Sequence, residues 1–185
     1  MSASVPISQN RWFRILGVSF VMYVLSFIDR TNIAMAIPGI RADLGLTASQ
    51  IGFATGVFFW GYVVLQVPAG RLASTWSPKK VILGVLVLWS FMSMTTAFVH
   101  TTTELVANRF LLGVTVGDVL TSVIVLISRW FTRAERARAN VLFLMAIAVG
   151  PMIANPITGF VLTFMNWRWM FVFEAVPALL WGIVW

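Results

Sequence analysis

The sequence predicts an all-α integral membrane protein, a bundle of six transmembrane helices, from its composition and from its apolar segments. Hydrophobic residues make up 59% of the 185 residues and charged residues only 10%, with a mean hydropathy of +0.91. Soluble domains carry about 25% charged residues. The composition therefore excludes a soluble enzyme, a disordered tail and a nucleic-acid-binding domain. A membrane-crossing helix needs ~20 mostly apolar residues, and the chain offers six such stretches.

The six predicted spans follow a short cytoplasmic tail, residues 1–11, and together form one bundle over residues 12–185. They are Trp12–Ile37, Ile51–Leu72, Val81–Val99, Glu104–Ser128, Asn140–Phe164 and Arg168–Trp185. The first is not a cleaved signal peptide, although Ala34-Met-Ala36 resembles a cleavage site, because it is long and five further spans follow it. The last span reaches only about 18 residues to Trp185, so we expect the natural reading frame to continue.

The distribution of Lys and Arg predicts the orientation. With the N-terminus inside, nine lie on the cytoplasmic side: Arg11, Arg14, Arg71, Lys79, Lys80, Arg129, Arg133, Arg136 and Arg138. Only Arg41 and Arg168 lie outside. Under the positive-inside rule both termini are therefore cytoplasmic, and the net charge of +7 reflects topology and not a nucleic-acid partner.

Small residues at four-residue spacing indicate close helix packing. Gly52 and Gly56 in the second span, and Gly113 and Gly117 in the fourth, have this spacing. In addition, Pro68-Ala-Gly70 and Pro156-Ile-Thr-Gly159 occupy corresponding places in the two sets of three spans. This correspondence predicts a 3+3 internal repeat.

Charged residues inside the spans are the candidate site residues, because Arg30 and Arg109 would together cost roughly 5–7 kcal/mol if they faced lipid. Asp29 and Arg30 are adjacent, so they cannot pair with each other on one helix. Each needs a partner on another helix or a ligand. For Arg109, extension toward the outer interface is an alternative. The role of Asp118, deeper in the fourth span, stays open.

Uncharged polar residues extend the candidate site. Tyr62 and Gln66 are four apart in the second span, and Asn155 precedes Pro156, where the fifth helix is expected to break. The chain has no Cys and one His, His100, and shows no zinc, nucleophile or phosphate-loop motif. We therefore expect no enzyme activity, metal or organic cofactor. Arginine forms paired hydrogen bonds with carboxylates, so the site favours transport of a small organic anion.

Several motifs in register resemble the anion:cation symporter family of the major facilitator superfamily. They cover essentially the whole chain, which resembles the N-terminal six-helix half of a twelve-helix fold. The motifs are Ser26-Phe-Ile-Asp-Arg-Thr-Asn-Ile33, Phe58-Phe-Trp-Gly-Tyr62, Gln66-Val-Pro-Ala-Gly70, Arg109-Phe-Leu-Leu-Gly113, Ser128-Arg-Trp-Phe131, Glu135-Arg-Ala-Arg-Ala-Asn140 and Asn166-Trp-Arg-Trp-Met-Phe171.

The resemblance implies proton-coupled uptake of an organic anion, such as a sugar acid or an aromatic carboxylate, across the cell inner membrane by alternating access. It implies that Arg30 binds the substrate carboxylate and that Asp29 takes part in proton coupling. It also implies that Tyr62 lines the substrate site and that Arg109 organises it. The partner implied is a C-terminal six-helix half.

Two positions depart from the family pattern. Val116 stands where the family usually has a glutamate that would share the face of Arg109, which leaves the proton stoichiometry open. Ser74 replaces an aspartate of the loop after the second span. Two alternatives to uptake therefore remain: a half-length membrane partner or structural subunit without transport activity, and an exporter of the same superfamily.

Overall fold

A computed structural model describes residues 10–185, which form six helices long and apolar enough to cross a membrane; no strand occurs in this range. The first nine residues, most of the predicted tail, lie outside the described range. The helices are α1 (Trp12–Leu44), α2 (Ala48–Thr75), α3 (Pro78–Phe98), α4 (Thr102–Trp130), α5 (Arg133–Phe164) and α6 (Trp167–Val184). The six-helix all-α prediction is confirmed.

Three of the helices contain local irregularities. α1 opens with a π-helical turn, Trp12–Gly17, and ends where Gly45 adopts a left-handed conformation, with φ of 62°, which glycine reaches without strain. α4 is divided at Gly117. α5 is divided at Met145 and then runs without interruption from Ala146 to Phe164. The expected break beside Pro156 is therefore wrong, because the helix continues through that proline.

The helix starts are fixed by side-chain caps. Thr47, Thr101 and Thr132 each form a capping box with a Gln or Glu three residues later. In this arrangement the threonine oxygen accepts a backbone N–H, and the Gln or Glu side chain accepts the N–H of the threonine. These caps place the turns between the spans.

The helix contacts show a reciprocal pattern. α2 packs along α4, and α5 packs along α1; α3 contacts α4, and α6 contacts α1. The first set is α1–α3 and the second is α4–α6. Helices α2 and α3 thus pack against α4, the first helix of the second set, and α5 and α6 pack against α1, the first helix of the first set. This arrangement is the one expected of a 3+3 repeat.

The closest approach between helices is that of α2 and α4. A Cβ added to Gly113 would lie 2.0 Å from the carbonyl oxygen of Phe58, and one added to Gly117 would lie 2.3 Å from that of Tyr62. Glycine is required at both positions because the two backbones touch. Gly52 and Gly56, by contrast, have no described atom within 4 Å of an added Cβ. The packing prediction is therefore wrong for that pair within this chain.

Polar contacts join the helix ends on both sides of the bundle. On one side Arg11 forms an ion pair of 2.5 Å with Glu135, and Arg129 donates to the backbone carbonyl of Ser74. On the other side Asp43 accepts a hydrogen bond of 2.8 Å from the indole of Trp167. These contacts hold the ends of the helices together.

Candidate anion site

Arg30 lies in α1 with its guanidinium among three aromatic rings. Its Cζ atom is 4.9 Å from the ring centroids of Phe27 and Tyr62 and 5.4 Å from that of Tyr23. Contacts of this length attract a cation to the ring face. The Nε and Nη2 atoms of Arg30 are buried and have no hydrogen-bond partner among the described residues. The structure therefore holds a positioned cation with donors available for an anion.

The rings of Tyr23, Phe27 and Tyr62 form an aromatic cage around Arg30, and helix periodicity and close packing explain it. Tyr23, Phe27 and Arg30 are spaced by four and three residues, so they lie on one side of α1. Tyr62 comes from α2, whose backbone rests on Gly117 of α4. The Phe27 ring lies over Gly150 of α5, where an added Cβ would come within 2.6 Å of it. The cage thus depends on close contacts in both three-helix sets.

Asp29 is buried and directed to a different set of partners from its neighbour Arg30. It is 1% exposed. One carboxylate oxygen accepts a hydrogen bond of 2.7 Å from the indole of Trp89, and the other accepts one from the hydroxyl of Ser93. Both partners lie on α3. Asp29 and Arg30 therefore serve separate polar clusters, as their adjacency on one helix requires.

Arg109 lies inside α4 with 1% of its surface exposed. Its guanidinium stands over the ring of Phe171, 4.9 Å from the centroid, and its charge attracts that of Asp29. The alternative in which this side chain extends to the outer interface is wrong, because the packing of α6 encloses it. The structure thus places Arg109 over Phe171, without an ion pair to Asp29, and not in the cage of Arg30.

The remaining predicted polar residues are dispersed. Gln66 is partly buried on α2, one turn after Tyr62, and Asn155 is exposed on α5. Asp118 is fully buried, and both of its carboxylate oxygens accept from the hydroxyl of Ser122, at 2.8 and 2.9 Å. Asp118 therefore binds within its own helix.

One functional candidate was missed by the sequence analysis. Glu174 of α6 is 3% exposed, and its two carboxylate oxygens accept hydrogen bonds from Thr158, at 2.6 Å, and Asn32, at 3.0 Å. The sequence did carry a signal for it, namely a carboxylate in the middle of an apolar span. The described residues contain no group of three or more His, Cys, Asp or Glu side chains that could hold a metal ion.

With this geometry established, comparison with known families places the chain. Residues 19–185 match the sequence model of the Major Facilitator Superfamily. The chain belongs to the major facilitator superfamily. Its bundle is also similar to the crystal structure of a bacterial homologue of the human lysosomal transporter Spinster, in an inward-facing, occupied conformation. The TM-score is 0.84 at 20% identity, over 96% of this chain and 44% of that one.

Two curated proteins similar to this chain are named for the transport of organic anions. One, from Agrobacterium vitis and named for tartrate, is 33% identical over 93% of this chain and 40% of its own length. The other, from Cupriavidus necator and named for sulfoacetate, is 31% identical over 92% of this chain and 40% of its own length. The chain thus spans about two fifths of these relatives, which fits one half of a major facilitator fold.

Val116 of α4 stands at the position where the symporter family usually has a glutamate. Val116 is fully buried in the main apolar core of the bundle. An apolar side chain therefore fills the place on α4 where a second ionisable group was expected.

Proposed function

We propose that this chain is the N-terminal half of a secondary transporter that carries a small organic anion together with a proton. Arg30 binds the carboxylate of the substrate, and Tyr62 and Gln66 line the same side of the site. Arg109 organises the site from α4, and Asn155 contributes a polar side chain from α5. The transporter works by alternating access and needs no cofactor besides the coupling proton.

The observation that carries this proposal is the unused hydrogen-bonding capacity of Arg30 on a partly exposed side chain. Arg109 has the same two nitrogens without partners, but it is only 1% exposed. The aromatic cage fixes the position of this partly exposed guanidinium, and its buried Nε and Nη2 atoms have no partner among the described residues. Buried N–H groups left unpaired are costly. A carboxylate accepts two parallel N–H bonds from such a group. The names of the tartrate and sulfoacetate relatives support the same substrate class.

The proton-coupling part of the proposal rests on Asp29. Its carboxylate is buried next to the substrate-binding arginine in sequence, but it contacts α3 and faces the charge of Arg109 on α4. Movement of these helices during alternating access would change both its hydrogen bonds and its distance from that charge. Such a change is what allows a carboxyl group to take up and release a proton.

The proposed setting is the bacterial inner membrane, with the N-terminus in the cytoplasm, as the Lys and Arg distribution predicts. The proposed partner is a second six-helix half, which supplies the other wall of the substrate site. The side chains of that half also determine which small anion is the substrate, whether a sugar acid, an aromatic carboxylate or another.

Uptake of labelled tartrate into proteoliposomes that contain the protein tests the role of Arg30. Arg30→Ala is expected to abolish uptake, and Arg30→Lys to retain only a small part of it, because lysine cannot form the paired bonds. Arg133→Ala, which removes an exposed arginine at the start of α5, is the control and should leave uptake unchanged. Normal uptake by Arg30→Ala would exclude the assignment. Measurement in both directions separates uptake from export.

The role of Asp29 is tested by comparing uptake with and without an inward proton gradient. Asp29→Asn keeps the size of the side chain but cannot exchange a proton, so it should remove the stimulation by the gradient. Stimulation equal to that of the unmodified protein would show that Asp29 is not a necessary coupling group.

A further inference from the structure

We propose that Glu174 is a second proton-carrying group of the transport cycle. The inference rests on the proposed function, because it concerns the coupling of that same transporter. Glu174 joins three helices: it lies on α6 and accepts hydrogen bonds from Thr158 on α5 and Asn32 on α1. Those helices belong to both three-helix sets, so the carboxyl group lies at the seam between the sets.

The partners of Glu174 suit both of its protonation states. A threonine hydroxyl can donate to a carboxylate or accept from a carboxylic acid, and a side-chain amide offers both a donor and an acceptor. Glu174 can therefore gain or lose a proton without losing either contact. Asp118 differs, because its partner among the described residues is a hydroxyl of its own helix.

Asn32 gives a second, independent indication. Its Oδ1 atom is buried and has no donor within the described part of the chain. With an ionised Glu174, the cluster of Glu174, Asn32 and Thr158 has more acceptor oxygens than donor hydrogens. A proton on Glu174 adds a donor hydrogen to this cluster and brings the numbers of donor hydrogens and acceptor oxygens level, which lowers the cost of burying unsatisfied acceptors.

The charged groups around Glu174 do not neutralise it. Asp29, one helical turn before Asn32 on α1, lies close enough for the two carboxylates to repel each other. Arg109 of α4 stands over Phe171, one turn earlier on α6, and forms no ion pair with Glu174. α5 contributes Thr158, and the ionisable residues of α3, Lys79 and Lys80, lie at its start. Asp29 and Glu174 carry two negative charges when ionised, against the one positive charge of Arg109. A proton on a carboxylate can supply the missing positive charge.

The proposed step is a proton exchange with water. When the helices part on one side of the membrane, a carboxylate oxygen of Glu174 gains a proton from water. After the bundle opens to the other side, the same O–H bond breaks and the proton returns to water there. With Asp29 carrying one proton and Glu174 another, two protons accompany each substrate anion.

Accumulation of tartrate at equilibrium measures this stoichiometry in proteoliposomes with the membrane potential clamped at zero. Each coupled proton moving down one pH unit contributes about tenfold to the accumulation ratio, so two protons give about 100-fold. The unmodified protein is expected to reach about 100-fold, and Glu174→Gln about tenfold. Glutamine keeps both hydrogen-bonding contacts but cannot carry a proton. Asp118→Asn, which alters another buried carboxylate, is the matched control and should match the unmodified protein.

The outcomes separate the two proposals. Accumulation of about tenfold in the unmodified protein would support the coupled transporter and overturn the role of Glu174, even if Glu174→Gln failed to fold. An equal ratio in Glu174→Gln and the unmodified protein would overturn it as well, as would an equal loss in Asp118→Asn. Transport of tartrate by the unmodified protein without any accumulation across the pH gradient would overturn the proposed proton coupling itself.

Discussion

Arg30 and Arg109 are both arginines inside membrane helices, but their surroundings differ. Arg30 is partly exposed, and its guanidinium lies among the rings of Tyr23, Phe27 and Tyr62. Arg109 is 1% exposed, is covered by Phe171 and faces Asp29. The first cation lies among three rings and is partly exposed, whereas the second lies over one ring and is fully enclosed.

This difference indicates separate roles for the two residues. A cation held by neutral rings keeps its electrostatic attraction for an incoming anion, because the rings do not neutralise it. An enclosed arginine that packs on an aromatic ring contributes to the packing of the bundle through its side chain. Substitution of Arg30 should therefore affect substrate binding first, and substitution of Arg109 should affect folding first.

The largest expected effect is that of Arg109→Ala. It removes a buried side chain that packs on Phe171 and leaves a cavity there, so the free energy of unfolding should fall by roughly 2–5 kcal/mol. Loss of the cage cation in Arg30→Ala should cost much less. The apparent melting temperature in detergent measures both.

A double-mutant cycle sharpens this prediction. Asp29→Asn removes the charge that Arg109 faces, so in the Arg109→Ala background it should restore part of the lost stability. The same substitution in the Arg30→Ala background should restore none. Equal rescue in the two backgrounds would show that the arginines do not differ in their relation to Asp29.

The next effect concerns the two glycine pairs of identical spacing. Gly113→Ala forces the touching backbones of α2 and α4 apart and should lower the free energy of unfolding by about 1–3 kcal/mol. It should also weaken tartrate binding, because Tyr62 moves with α2. Gly52→Ala is the matched control and should leave the stability of residues 1–185 unchanged or slightly higher. A thermal melt that orders the two variants the other way would contradict the packing described above.

The smallest effect is expected at the edge of the cage. Tyr62→Leu removes one ring from Arg30 and should cost roughly 0.5–1 kcal/mol of binding energy, or about two- to fivefold in affinity for tartrate. Tyr62→Phe keeps the ring and should lose less. Titration of labelled tartrate onto the purified protein measures both affinities. A greater loss in Tyr62→Phe than in Tyr62→Leu would instead assign the effect to the hydroxyl.

The fold was predictable, and candidate site residues could be chosen, because membrane segments have a simple composition rule. Six apolar stretches predict six helices, and a charge such as Arg30 inside a stretch stands out against them. The same rule applied to Glu174, which was overlooked. What the rule cannot supply is the partner of each residue, because partners such as Trp89 and Ser93 lie on another helix and are common residue types in membrane spans.

The glycine pairs show why packing was harder to predict than helices. Gly52 and Gly56 have the same spacing as Gly113 and Gly117, yet only the second pair touches another backbone in this chain. Spacing along one helix says that close approach is possible, but the face that meets a neighbour depends on the whole bundle. For the same reason the enclosure of Arg109 by α6 could not be read from α4 alone.

The central claim is that Arg30 is available to an anion while Arg109 holds the bundle together. The most direct measurement is the apparent melting temperature of the unmodified protein and of Arg30→Ala, each with and without saturating tartrate. We expect Arg30→Ala without tartrate to melt within about 2–4 °C of the unmodified protein, the shift that ~1 kcal/mol produces at this size. We expect tartrate to raise the melting temperature of the unmodified protein only. An equal tartrate-induced rise in Arg30→Ala would contradict the claim.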